Sequence, residues 1–279
     1  MQFWEKLLAL DRRWIFLFVL LALAVPMFLD LEFDLAVSKE VEELYEALNK
    51  LQPGSRVLMS FDYDPPSAPE LQPMANAAVK FCLKKRLKLV IMGLWPQGPI
   101  QANKALLNAW ESPEIDRSNY VYGVDYVNLG FQAGNEFVIQ RMGSSFKEMF
   151  KKDYTGNRYE ELPLTRGIKN FNDIDFSINF SAGYPGTVEW VQIAVDRYHL
   201  RLGAGNTAVQ APQVYPYYNA GQVQGLLGGM RGAAEFESIT EYQAKGTRFM
   251  FSQTIAHAVV MIFIVIGNIA FFIIGRKKK

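Results

Sequence analysis

Two carboxylates, Asp62 and Asp64, stand two residues apart in SFDYDPPS. Just after an apolar strand, such a pair can hold a divalent cation, or supply nucleophile and acid for phosphoryl transfer. The competing account is architectural: Asp64 opens a Pro-rich turn, and Asp62 caps or solvates a strand end. Two details favour it. Phosphoryl transfer of this kind wants Thr or Val two residues after the second Asp, where Pro66 stands, and the next strand ends Gly93-Leu94-Trp95 with no Ser or Thr for phosphate.

Other reactive groups are sparse. Cys82 in KFCLKK falls in an amphipathic helical pattern and reads as a packing thiol. His199 in DRYHLR has no spacing that pairs it with Cys82 or a serine, and the other histidine, His257, lies in an apolar run. Two histidines and one cysteine cannot build a His/Cys metal cluster or a disulfide framework, so neither metal nor cofactor is expected. Gly203-Ala204-Gly205-Asn206 has a G-x-G core but precedes an expected strand, so the dinucleotide fingerprint fails on context. A net charge of +1 without a basic patch argues against a nucleic-acid partner. Asn179-Phe180-Ser181 is a glycosylation sequon, short enough to arise by chance.

The elements that must position these groups alternate. A helical stripe of Val37, Val41, Leu44, Leu48 and Leu51 predicts a helix over 37–51, with Ser38 as its cap and Pro53-Gly54 as its stop. Strands are expected at 56–61, 88–94, 125–129, 176–180 and 206–209, with helices at 70–86, 100–110, 135–149 and 188–197 and a polar excursion at 150–163. Such βαβ units close right-handed into a doubly wound, mainly parallel α/β sheet of about five strands. Ligands bind such sheets outside the strands' carboxyl ends, which makes Trp95, Gln132, Tyr184, Tyr215, Tyr217 and Tyr218 the crevice candidates.

In 210–240, Gly221, Gly225, Gly228, Gly229 and Gly232 recur at short spacings, which places them on one face of an expected helix. Glycine weakens a helix by about 1 kcal/mol per position relative to alanine, so the stripe implies close packing, either within the domain or against another subunit.

Two apolar runs bound this domain. Residues 254–274 carry no charge and are long enough for a bilayer's hydrocarbon core. Residues 14–29 are shorter, extended by Leu8 to Leu10 and Leu31 if Arg12 and Arg13 snorkel. The alternative there is a signal peptide cleaved at Ala22-Leu23-Ala24, disfavoured by Pro26 close behind. The expected organisation is an interfacial N-terminal helix at 1–13 presenting Phe3, Trp4, Leu7 and Leu8, a span at 14–31, the α/β domain at 32–250, a second span at 251–275, and a basic tail at 276–279. Basic residues flank both outer ends, so both termini are expected in the cytoplasm and the domain outside it, in the cell membrane. Asn268 in lipid needs a partner, either the first span or a second subunit, while His257 sits near an interface.

LDLEFDLAVSKEVEELYEALNKLQPGSRVLMSFDYDPPSAPELQPMANAAVKF resembles the extracytoplasmic domains of gliding-motility-type ABC-transport auxiliary proteins. SFDYDPPSAPELQPMA, YGVDYVNLGFQAGNE and PYYNAGQVQGLLGGMRGAAEFE are also similar to segments of an uncharacterised family of prokaryotic two-span membrane proteins. The resemblance implies a glutamine-amidotransferase-like, Rossmann-like fold without catalytic residues, and a membrane-accessory role. The chain departs from the auxiliary proteins in its short length and its Gly-rich residues 221–232. The expected function is a non-catalytic accessory or scaffold subunit of a larger membrane assembly, with membrane proteins or further copies of itself as partners. The alternatives are a metal-dependent enzyme using Asp62 and Asp64, or an extracytoplasmic sensor of a small ligand.

Overall fold

The computed structural model describes residues 9–28, 35–242 and 245–275. The surface helix expected through Phe3, Trp4, Leu7 and Leu8, and the basic tail at 276–279, lie outside the described residues. The longer helices are α1 (Arg12–Met27), α2 (Lys39–Asn49), α3 (Ala68–Lys84), α4 (Gly98–Trp110) and α5 (Glu136–Ser144). Then come α6, a rod of three segments (Thr187–Glu189, the π-helical Trp190–Val195 and Asp196–Tyr198), α7 (Ala211–Asn219), α8 (Gly229–Ile239) and α9 (Lys245–Gly275). They fall into two compact units, one of residues 35–246 and one of the described parts of 1–34 and 247–279.

In the larger unit, β1 (Arg56–Asp62), β2 (Lys88–Gly93), β3 (Tyr126–Phe131), β4 (Phe176–Ser181), β5 (Leu202–Asn206) and β6 (Leu226–Gly228) make one sheet. All its pairings are parallel, in the order β3-β2-β1-β4-β5-β6. This is the doubly wound, Rossmann-like order, and it reverses direction between β1 and β4. Period-two alternation sends Val57, Met59, Phe61, Ile91, Ile178 and Phe180 to the core shared with α3 and α8. Leu58, Val90, Met92 and Leu202 go to the core shared with α5 and α6. Both faces are covered, which is why strands such as KLVIMG read as nearly continuous apolar runs.

Four expectations are corrected. The fifth strand is the glycine-rich Leu202–Asn206, not 206–209, and a sixth strand, Leu226–Gly228, follows. The glycines of β5 make room for neighbours: a Cβ on Gly203 would overlap Leu44, and one on Gly205 would come 2.7 Å from Phe180. Second, the single glycine-faced helix does not form. Gly221 (φ +76°) is in a turn, Gly225 (φ +136°) enters β6, Gly228 closes it, Gly229 (φ +58°) opens α8, and Gly232 alone of the five lies inside a helix. Close approach is still the reason for several of them, within the unit: Gly225 lies against the Leu44 backbone of α2, and Gly232 against the Leu227 backbone. Third, Ser38 does not cap α2 with its side chain; its N–H and hydroxyl donate to Glu235 Oε2 at 2.9 and 2.6 Å. Fourth, the helix expected over 135–149 breaks, because Ser145 turns extended and its Oγ caps a separate turn, Phe146–Met149.

In the smaller unit, α1 and α9 meet with the Phe18 and Phe263 rings 6.0 Å apart. The less exposed positions of α1 include Ile15, Val19, Ala22 and Pro26, and those of α9 include Ala256, Val259, Phe263, Ile266 and Ala270. Both sets recur at spacings of 4 and 3, the pattern of helices packed along a seam. Among the described residues, only Gly246–Ile274, 29 residues, is long and apolar enough to cross a membrane. The helix from the first run, 16 residues, stops at Met27, so the expectation of two such helices is met by one.

Candidate functional site

The sheet reverses beside Asp62, the last residue of β1. Its side chain is fully buried and accepts hydrogen bonds from four residues. Ser60 Oγ lies 2.9 Å from both oxygens, Leu94 N–H donates to Oδ1 at 2.6 Å, and Asn179 Nδ2 and Trp190 Nε1 donate to Oδ2 at 2.6 and 3.2 Å. These donors come from β1, the loop after β2, β4 and the π-helical part of α6. Burial pushes the carboxyl up to about 6, against the pull of these bonds, that of the Leu94 N–H first.

The network continues away from the carboxylate. Thr187 Oγ1 donates to Asn179 Oδ1 at 2.7 Å, Asn206 Nδ2 donates to Thr187 Oγ1 and Gln210 Oε1 at 2.9 and 3.0 Å, and Gln210 Nε2 donates to the Gly183 carbonyl at 3.1 Å. It ends at a cavity of about 410 Å³ outside β4 and β5, lined by Tyr184, Val188, Glu189, Thr207, Gln210 and Gln213. Glu189 caps the first turn of α6 by accepting the Gly186 N–H at 2.7 Å.

Asp62 and Asp64 do not converge on one ligand position. Asp64 instead accepts the Ser67 N–H and hydroxyl at 3.3 and 3.0 Å, capping a short 3₁₀ turn as a Pro-rich loop requires. With both oxygens engaged and no exposed surface, Asp62 is built to hold four segments together, not to meet a substrate. Among the described residues no group of three His, Cys, Asp or Glu is placed to hold a metal.

The crevice candidates separate. Trp95 and Tyr184 stay at the carboxyl edge: Trp95 Nε1 donates to the Pro185 carbonyl at 2.9 Å, and the exposed Tyr184 donates to Glu136. Gln132 lines a different cavity of about 490 Å³ beyond β3, with Lys151, Lys152 and Asp153. Tyr215 and Tyr218 turn to α2, donating to Glu40 and Glu43 at 2.8 and 2.6 Å, and Tyr217 packs on the core. The bond from Tyr218 holds the Glu43 carboxyl below its usual range. Cys82 is buried, and burial raises its thiol far above the usual value. His199 ends α6 in a left-handed conformation. In α9, His257 and Asn268 are both exposed, and Asn268 Nδ2 donates to the Ile264 carbonyl of its own helix at 2.9 Å.

Residue-type reasoning missed Ser60, Thr187, Trp190 and Asn206, and read Asn179 only as a sequon; it is 1% exposed with its amide engaged. A signal was present. Ser60 and Asp62, and Ser177, Asn179 and Ser181, recur at period two in otherwise apolar strands, putting a polar row on one face of the sheet. Comparison with protein-family models, with curated proteins and with solved structures finds no match.

Proposed function

We propose that the chain is a membrane-anchored α/β lobe serving as a non-catalytic accessory or scaffold subunit of a larger membrane assembly, of which a transport complex is one form. The observation that carries this reading is the surface of the α1–α9 unit. Trp14, Phe16 and Leu20 of α1, and Met261, Phe271 and Phe272 of α9, stand exposed on helices with almost no polar surface between them. Water does not tolerate an apolar surface that continuous, and lipid does. On this reading α9 is the span with the 16-residue α1 packed beside it in the lipid, the basic residues at the chain's outer ends are cytoplasmic, and the lobe is extracytoplasmic. The resemblance to the auxiliary proteins of ABC transport supports the same role.

The carboxylate pair gives an enzyme reading little support, since Asp62 is enclosed and Asp64 caps a turn. A sensor would use the cavity beside Tyr184 and Gln210, without the three tyrosines of α7 that bond or pack elsewhere. The test is isolation in mild detergent after alkaline carbonate washing of membranes. The expected result is retention in the membrane and co-purification of other membrane proteins. Release by carbonate would end the anchor reading; retention without partners would end the accessory reading.

A further inference from the structure

The two strongly polar side chains inside the apolar run, His257 and Asn268, are eleven residues apart, about three helical turns, and so share one face of α9. Met261, Ile264 and Phe271 complete that face at spacings of 4, 3, 4 and 3. All five are exposed, and their seam lies roughly 150° around the helix from the one formed by Ala256, Val259, Phe263, Ile266 and Ala270. Helix α1 therefore does not cover it. The sequence left Asn268 a choice between the first span and another subunit, and its position decides against the first span.

Asn268 spends one N–H on the Ile264 carbonyl. Its second N–H and its Oδ1 have no partner among the described residues, and in hydrocarbon both are costly to leave unpaired. An asparagine amide is donor and acceptor at once, so another asparagine satisfies both groups reciprocally. Two copies of this chain inserted with one topology present α9 in parallel. A two-fold axis between them brings the same residue of each copy face to face, and a 4-3 seam with Asn at one inward position is the pattern that sets register in paired helices.

We infer that a second copy of this chain packs along His257, Met261, Ile264, Asn268 and Phe271, with the two Asn268 amides hydrogen-bonded to each other. This rests on the membrane reading above and names its partner.

The test uses the full-length chain in native membranes, with single cysteines introduced along α9; Cys82 is buried and does not interfere. Oxidation should give disulfide dimers that peak at Met261→Cys and Ile264→Cys and are weak at Phe263→Cys and Ile266→Cys. Asn268→Ala should weaken the Ile264→Cys dimer about tenfold, as expected for losing two interhelical hydrogen bonds, and Asn268→Gln should retain much of it. Carbonate extraction is run on the same samples. Protein that stays in the membrane but gives no dimer, a dimer peaking at Phe263→Cys, or a cross-link to a different protein at Ile264→Cys overturns the pairing alone. Protein released by carbonate overturns the membrane reading and the pairing with it.

Discussion

The Asn179 amide donates to Asp62 Oδ2 at 2.6 Å, joining β1 to β4 at the point where the sheet reverses. Doubly wound folds commonly keep this position open for a ligand. Here a buried carboxylate and its four donor residues fill it, and Trp95 closes over the loop after β4 by bonding Pro185.

A pH dependence follows. The Asp62 carboxyl moves from an ordinary 3.8 to about 6 in the folded chain, so the folded state binds this proton more tightly than the unfolded state. Its stabilising contribution is full below pH 4 and is lost as pH rises through 6, a change of about 3 kcal/mol. Glu114 and Asp153, held low by their partners, act in the opposite sense as the pH falls toward 4. Denaturation of the detergent-solubilised chain should therefore show the lobe gaining stability between pH 7 and pH 5. A flat or inverted profile in that window would refute the assignment.

Asp62→Asn tests the same site independently. An amide sets an NH₂ group against donors that now meet an oxygen, either Leu94 N–H or the Asn179 and Trp190 side chains. The lobe should lose about 2 kcal/mol at pH 7 and most of its pH 5 to 7 slope. Tryptophan fluorescence reports both, because Trp190 is one of the donors. An unchanged midpoint would mean that the network does not hold the strands.

The glycines of 221–232 should differ sharply under alanine substitution. Gly221 has a positive φ but open space around it, so Gly221→Ala is expected to weaken the lobe by about 1 kcal/mol. Gly225 has a positive φ, and its Cβ would overlap the Leu44 backbone. Gly225→Ala should lose several-fold more and expose the lobe to limited proteolysis. Equal losses would show that α2 is not packed as described.

Cys82 is wholly buried with a raised thiol pKa. Maleimide should leave it unlabelled in the native protein and label it fully in denaturant. Rapid native labelling would mean that α3 is not seated on the sheet.

Much of this architecture was legible beforehand. Strands such as RVLMSF and KLVIMG are largely apolar, and the helices between them carry clear stripes, so local pattern and tertiary burial agreed. LGAGN failed because strand propensity is judged from side chains, whereas Gly203 and Gly205 are in the sheet for the space they leave to Leu44 and Phe180. The glycines after 220 were misread because spacing cannot reveal a positive φ; Gly225 and Gly229 break the helix at positions where a helical face would have placed them inward. The Asp62 cluster was half visible. The carboxylate stood out by type, but its partners Asn179 and Trp190, and Thr187 behind Asn179, lie more than a hundred residues away, brought in by the fold alone.

The margins of the sheet carry a final consequence. At one side β6 has only three residues, with the α2 backbone pressed against its entry at Gly225. At the other, the Asn128 carbonyl of β3 already receives the Tyr154 N–H. An open sheet margin invites polymerisation through backbone pairing. Among the described residues each margin is thus short or already engaged at one point, which disfavours addition of a strand from a second molecule.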